Sequence, residues 1–312
     1  MIHESPKLSV HVTCYAKINL FLKVYGKRPD GYHDIISVMQ SIDLADTIKI
    51  ELTSGKGLEI VCSNPDIPTD ERNLAWKATW AIAAKAGRQV DGLKITIDKG
   101  IPVMGGLAGG SADCAGTLLG LRELWSVDME EKELIEIGAG LGSDVPFCLV
   151  GGTAIVRGRG EIVEPLPSGL ADNPLKSGSF LVVLPSMKIE TKAAYDALDK
   201  RRILETRKWE SLNREYAEIR DLWLRSISDK SFPLYMQNDF EPAVLSENPN
   251  LAALHTYFRN FAGHALLSGS GSAIFAYFHD QSDANEHLMR YAPIVDESLI
   301  IANPVARGVE FD

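Results

Sequence analysis

Little in this chain points to disulfides, metal clusters or membranes. Its four cysteines, Cys14, Cys62, Cys114 and Cys148, are scattered over 312 residues with no CxxC pair. That spacing argues against a zinc cluster or a disulfide framework and suits a reducing compartment. No apolar run approaches the roughly 20 residues that span a bilayer. The opening MIHESPKLSVHVTCYAKINLFLKV has no basic leader before an unbroken apolar core, because Lys17 and Asn19 interrupt it. No signal peptide is expected, no membrane partner either, and cytoplasmic is the simplest location. Basic blocks are missing too. A formal net charge of −10 repels a nucleic-acid backbone unless a basic face is segregated. The two local basic clusters, YGKRPDGYH and DKRRILETRKW, are short and interleaved with acids or turn residues. Nucleic acid is therefore not an expected partner. Internal repeats and low-complexity segments are absent.

What is present reads as a folded, soluble chain of α+β type. Hydrophobic residues make up 45% and charged ones 24%, ordinary values for a substantial core, and the length suggests two domains. The stretches SVHVTCYAKINLFLKV, DTIKIEL, GLEIVC and LKITID are rich in β-branched and apolar residues and read as strands. NLAWKATWAIAAKAG reads as a helix capped by Asn73 and ended by Gly87. A second helix is predicted to start near Ser111 and turn Ala115, Leu118, Leu119 and Leu121 inward. A third begins at Asp128 and stops at glycines. Residues 167–178, rich in Pro, Gly, Ser and Asn, read as a linker. Beyond it, FLVVLP reads as a buried strand, residues 191–228 as largely helical, HALLSGSG and SAIFAYF as strands about a glycine turn, and DQSDANEHLMRYA as a helix.

The sharpest local signal is IPVMGGLAGGSAD, residues 101–113, with four glycines between a strand and a helix. Backbone N–H groups close on an anion only where no Cβ intervenes, and a helix N-terminus adds about half a positive charge. A polyphosphate is one natural guest; a tight turn or close helix packing is the other reading, and the loop alone is compatible with both. No GK[ST] follows, so this is not a Walker A loop, and GxGxxG spacing is absent. The HRD and DFG elements of protein kinases are missing as well.

Further motifs narrow the choice. AKINLFL places Lys17 and Asn19 on one strand face, and GSDVPF sets Asp144 at a turn beside Pro146. Together with DGYH, IPVMGGLAGGSAD, GGTA, GRGE and LSGSGSA at 267–273, these resemble, in the same order, the motifs of the GHMP small-molecule kinases. The likeness is strongest over about residues 14–165. It implies a two-domain fold: an N-terminal domain similar to ribosomal protein S5 domain 2 over 1–166, and a C-terminal ferredoxin-like domain over 167–312, with substrate and ATP in the cleft between. Within the family, DGYH is similar to the branch that phosphorylates the C2 hydroxyl of 4-diphosphocytidyl-2-C-methyl-D-erythritol in the non-mevalonate isoprenoid pathway. The alternatives are a kinase for another small alcohol, such as mevalonate, homoserine or a sugar, and a catalytically silent nucleotide-binding paralogue. Monomer and homodimer both stay open.

The resemblance also implies roles. Asp144 is the expected catalytic carboxylate, although locally it also reads as a helix cap. Lys17 is expected to support Asp144 and meet the γ-phosphate, where a bare reading makes it a strand lysine reaching solvent. Asn19, Tyr32, His33, Thr191 and Tyr195 are the expected substrate contacts, Tyr32 and Tyr195 stacking on cytosine and His33 reading its edge. From the local turn sequence alone, Tyr32 and His33 are exposed loop residues. For ATP, the loop Pro102, Val103, Met104, Gly105, Gly106, Leu107, Ala108, Gly109, Gly110 and Ser111 is expected to wrap the phosphates, with Asn73, Leu74 and Lys99 bordering adenine. Mg²⁺ is expected to be held mainly by ATP phosphates and water within approach of Ser111, with no metal site made by the protein. Ala108 and Ala112 stand where the family often has glycine and serine, which puts any contact from position 112 in doubt.

Overall fold

Two long strands give the first half its frame. In the computed structural model, which describes residues 8–167, 173–201, 209–229 and 235–312, β1 (Ser9–Lys27) and β2 (His33–Leu52) form an antiparallel hairpin. The register slips between Tyr15 and Ala16 and again between Asn19 and Phe21, so irregularities bracket Lys17 and Asn19. Such bulges re-aim side chains. From Ala16 to Leu22 β1 is buried on both faces, with Ile18 and Leu20 among the core residues and Lys17 and Asn19 facing away from them.

The chain continues through β3 (Leu58–Cys62), α1 (Leu74–Ala86), β4 (Leu93–Asp98), α2 (Gly109–Leu124), α3 (Glu131–Leu141), α4 (Val145–Val150), β5 (Thr153–Gly158) and β6 (Ile162–Pro165). Asn73 caps α1 by accepting the Ala75 N–H, and Gly87 ends it in the left-handed region at φ 62°, as the sequence predicts. Helix α2 opens two residues before the predicted Ser111. Ala115, Leu118 and Leu121 are fully buried and Leu119 half-buried. It lies close on the sheet because a Cβ at Gly116 would come within 2.2 Å of Cys14 Sγ. Helix α3 begins later than Asp128, at a reciprocal cap made by Glu130 and Glu133.

The second half comprises α5 (Pro174–Ser177), β7 (Ser179–Pro185), α6 (Thr191–Arg201), α7 (Trp209–Ser228), β8 (Gln237–Asn238), α8 (Glu241–Glu247), α9 (Pro249–Ala262), β9 (Leu266–Leu267), β10 (Ile274–Phe278), α10 (Gln281–Arg290), β11 (Glu297–Ala302) and β12 (Val309–Phe311). Part of the predicted linker, 168–172, lies outside the described residues, as do 202–208 of the predicted helical stretch; α5 is a single turn within the rest of the linker. The strands form two sheets. An eight-stranded one contains the path β12-β1-β2-β4-β3, with β5 on β2, β6 on β5 and β8 on β1; the four-stranded one runs β11-β7-β10-β9. β8, which falls between β7 and β9 in sequence, and β12, which follows β11, thus return to the first sheet. Each sheet has its own apolar core. The first is sealed by α7, whose Trp223 and Ile227 are fully buried. The α+β class expected from the sequence is observed.

Candidate active site

A cavity of about 830 Å³ is lined by residues of both halves of the chain, and every residue assigned above to catalysis, substrate or ATP borders it. At its floor Lys17, only 3% exposed, donates from Nζ to Asn19 Oδ1 at 2.7 Å and to the Gly106 carbonyl at 2.8 Å. Asp144 Oδ2 lies 3.6 Å from the same nitrogen. Asn19 donates in turn to Ser37 Oγ at 2.8 Å, and Ser37 to the Phe21 carbonyl at 2.7 Å. This relay fixes the amide so that its oxygen faces Lys17. Asp144 occupies the N-cap position of α4, yet its side chain makes no capping bond. Pro146, in the first turn, has no N–H to be capped. The capping role that the local sequence allows is therefore not taken, and the carboxylate faces the cavity beside Lys17. Equally, Lys17 does not reach solvent as an ordinary strand lysine does.

The glycine-rich loop forms one wall. Met104 and Ala108 adopt positive φ of 59° and 62°, and α2 starts without a side-chain cap and without an acid in its first turn. An uncapped, acid-free helix start beside a cavity suits an anion. A Cβ at Gly110 would meet only Leu74 Cδ1, at 3.9 Å, whereas one at Gly106 would fall 2.0 Å from the Ser268 carbonyl oxygen. Gly106 is thus pinned by the 267–271 turn while Gly110 faces open space. Ser111 borders the cavity; Ala112 is fully buried and does not, so a hydroxyl at 112 is not missing from the wall. Asn73 gives its side chain to the Ala75 N–H and the Pro68 carbonyl.

Beneath the loop lies a charged cluster that the sequence reading missed. Lys99 Nζ bonds the carboxylate of Asp46 and, at 2.7 Å, Asp113 Oδ2. Asp46 Oδ1 accepts from the Gly100 and Ile101 N–H groups, both at 2.8 Å. The cluster therefore ties the start of the loop to the second turn of α2. The Lys99 ammonium is engaged by these acids rather than by open space. Burial pushes the Asp113 carboxyl up to about 7, against the pull of Lys99 and with Asp46 adding to the rise. Asp46 and Asp113 carried no signal in the sequence because isolated acids usually sit on the surface.

Across the cavity is an aromatic group. Tyr32 is 49% exposed, with the Arg159 guanidinium 5.1 Å from its ring centroid. His33 is buried; its Nε2 lies 2.8 Å from Asp199 Oδ1 and its ring stacks on Tyr195 at 4.8 Å. Tyr195 meets Phe240 edge-on at 4.8 Å, and burial pushes its phenol up. The exposed-loop reading thus fits Tyr32 and not His33. Thr191 Oγ1 lies 3.4 Å from Ser270 Oγ. Arg159, Asp199 and Phe240 also line the site, and only chain folding brings them there. Among the described residues no group of three or more His, Cys, Asp or Glu side chains is arranged to hold a metal ion.

A buried lysine beside an aspartate, under a glycine loop that opens a helix, defines the class. The family descriptions GHMP kinases N terminal domain and GHMP kinases C terminal match residues 73–152 and 219–288. The crystal structure of a homoserine kinase from Cytophaga hutchinsonii covers 100% of both chains with a TM-score of 0.72 at 19% identity, a likeness that establishes the GHMP kinase fold alone. A crystal structure of 4-(cytidine 5'-diphospho)-2C-methyl-D-erythritol kinase has a TM-score of 0.70 at 27% identity, covering 94% of this chain and 99% of that one. The 4-diphosphocytidyl-2-C-methyl-D-erythritol kinase of Carboxydothermus hydrogenoformans is 39% identical over 297 residues, 94% of this chain and 96% of that one. Its namesake in Acaryochloris marina is 36% identical over 310 residues, 95% and 96%. The chain belongs to the 4-diphosphocytidyl-2-C-methyl-D-erythritol kinase family.

Proposed function

We infer that the protein transfers the γ-phosphoryl group of ATP to the C2 hydroxyl of 4-diphosphocytidyl-2-C-methyl-D-erythritol, giving the 2-phosphate and ADP in the non-mevalonate isoprenoid pathway. The observation that carries this reading is the Lys17–Asp144 pair, 3.6 Å apart, in one cavity with an uncapped helix start and an aromatic group. A tertiary hydroxyl is a crowded nucleophile, so catalysis rests on alignment, on removal of its proton and on charge stabilisation. Asp144 accepts the hydroxyl proton or holds that hydroxyl in line as its oxygen bonds to the γ-phosphorus and the bridge to the β-phosphate breaks. Lys17, fixed by Asn19 and Gly106, offsets the charge developing on the transferring group.

In the same reading, residues 102–111 bind the phosphates, with Asn73, Leu74 and Lys99 toward the adenine side. Tyr32, His33 and Tyr195 take the cytosine, while Asn19 and Thr191 contact the rest of the substrate. Mg²⁺ would be held mainly by the ATP phosphates within approach of Ser111, where it would neutralise phosphate charge. We place the domain division near 166/167, with the last strand returning to the first sheet, and the enzyme in the cytoplasm as a monomer or homodimer. Among the described residues no helix is long and apolar enough to cross a membrane.

A kinase for another alcohol is the second reading, since the fold is shared with a homoserine kinase. The aromatic group around His33 favours the cytidyl compound, because a base can stack there and mevalonate or homoserine has none. ADP release measured with each alcohol decides between them. Turnover of the cytidyl compound is expected, and turnover of mevalonate or homoserine in its place overturns the assignment.

A further inference from the structure

The segment QNDFE, residues 237–241, joins parts of the site that lie far apart in sequence. Strand β8 runs parallel to β1, with Gln237 opposite Phe21 and Asn238 opposite Leu22, so it lies alongside the strand that carries Lys17 and Asn19. Asn238 is 4% exposed, and all of its side-chain polar groups are engaged. Nδ2 donates to the carbonyls of Leu267 and Gly269 at 2.7 and 2.8 Å, and Oδ1 accepts the Phe240 N–H at 2.9 Å. Two donors on one nitrogen beside an acceptor are what an amide provides and a carboxylate or hydroxyl does not. Glu241 accepts the Leu267 N–H at 2.8 Å, so both backbone polar groups of Leu267 are held from one short segment.

The turn held in this way backs directly onto the reacting corner. Ser268 Oγ donates at 3.0 Å to the Gly106 carbonyl, the same oxygen that receives Lys17 Nζ. A Cβ at Gly269 would lie 3.3 Å from Lys17 Nζ, 3.4 Å from Asn19 Oδ1 and 3.3 Å from the Gly106 oxygen. The 267–269 backbone is therefore the back wall of the lysine. We propose that Asn238 is a positioning residue for phosphoryl transfer, acting through this turn to hold Lys17 and the Gly106 carbonyl in register.

The proposal rests on the kinase reading of the cavity and adds a residue that touches neither substrate. Without the amide, two buried carbonyls lose their donor, and they regain hydrogen bonds only by lifting the turn toward water. Lys17 then loses its back wall, and a displacement on the order of 1 Å costs about 10²-fold in rate. The turn meets the proposed phosphate loop through the Gly106 carbonyl, which faces Lys17, while Tyr32, His33 and Tyr195 lie on other segments, so the loss falls on kcat more than on KM.

The test is steady-state ADP release by Asn238→Ala, Ser268→Ala and the double variant, with wild type as control and both KM values measured. Ser268→Ala removes only the hydroxyl that braces the Gly106 carbonyl, so it keeps the test open should Asn238→Ala fold poorly. Asn238→Ala is expected to lower kcat about 10²-fold with each KM within about threefold of wild type. Ser268→Ala is expected to lower kcat about tenfold, and the double variant to fall short of the product of the two, because both act through one turn. A kcat within threefold of wild type in both single variants overturns the role, as does a KM rise that matches the kcat loss or strictly multiplicative effects. Wild-type turnover tests the kinase reading separately: its absence defeats that reading and this one together, while normal wild-type turnover with unaffected variants defeats only this one.

Discussion

Replacing Asp144 by asparagine removes a charge while keeping the shape of the side chain, and the structure separates the consequences. The carboxylate makes no helix-capping bond, so no cap is lost. Lys17, 3.6 Å away, is buried, whereas the Asp144 side chain is 31% exposed, so water reaches the carboxylate and partly screens the pair. Lys17 keeps its bonds to Asn19 and Gly106, so the amine is not orphaned. Thermal unfolding is therefore expected to shift by only a few degrees. The catalytic loss is of another order. A general base contributes about 10²–10⁴ in rate, or about 3–5.5 kcal/mol at 1.36 kcal/mol per tenfold. ADP release under saturating ATP and cytidyl substrate measures kcat, and calorimetric titration with a non-hydrolysable ATP analogue measures nucleotide affinity. The expected result is a kcat lowered at least 10²-fold with nucleotide affinity within threefold of wild type. A folded variant that turns over within tenfold of wild type refutes the assigned role. One that loses nucleotide affinity in proportion shows that Asp144 shapes the loop rather than the chemistry.

Gly110→Ala places a methyl in open space, touching only Leu74. It is expected to leave the melting temperature unchanged or higher, since alanine is better than glycine within a helix by about 0.5–1 kcal/mol. The KM for ATP is expected to rise about tenfold or more through loss of a charge-assisted phosphate contact of about 1.5–3 kcal/mol; an unchanged KM argues against phosphate binding at this wall. Tyr32→Ala, at a half-exposed position, is expected to spare stability and kcat while raising the KM for the cytidyl substrate about 5- to 150-fold, from about 1–3 kcal/mol of lost stacking. Equal KM values in mutant and wild type would remove Tyr32 from the base site. The Asp113 carboxyl, raised by burial to about 7 in the folded protein, stays protonated where the unfolded chain, near 3.9, has already lost its proton. The folded state binds more protons between these values, so this group's contribution to stability declines as pH rises from about 4 through about 7 and then levels off. Urea unfolding at pH 5 and pH 8 is expected to show a larger drop for wild type than for Asp113→Asn, and parallel drops exclude the shift.

Much of the fold was legible because short-range physics decided it. Asn73 and Gly87 mark both ends of α1 by their own chemistry, the one by accepting an N–H and the other by entering the left-handed region. The strand stretches of β1, β3, β4, β7 and β10 declared themselves through β-branched and apolar content. The first part of β2, residues 33–45, did not, since both of its faces are largely covered and its Asp, Ser and Gln residues break any alternation. Helices α8 and α9 and the strand pairing of β8 and β12 were likewise unread. Their signals are short, and their partners are distant in sequence.

The site divides along the same line. Order and type of residue along the chain were enough to mark Lys17, Asp144, the 102–111 loop and the DGYH turn, because each sits in a local motif whose spacing carries meaning. Which groups those residues meet depended on tertiary structure. Burial turned Lys17 from a surface charge into the centre of a polar network, took His33 out of solvent against Tyr195 and Asp199, and drew Asp46 and Asp113 around Lys99. Asn238 belongs wholly to this second kind. An amide in a two-residue strand has no pattern of its own, and its place behind the lysine exists only because the chain returns, after 200 residues and more, to the strand where it began.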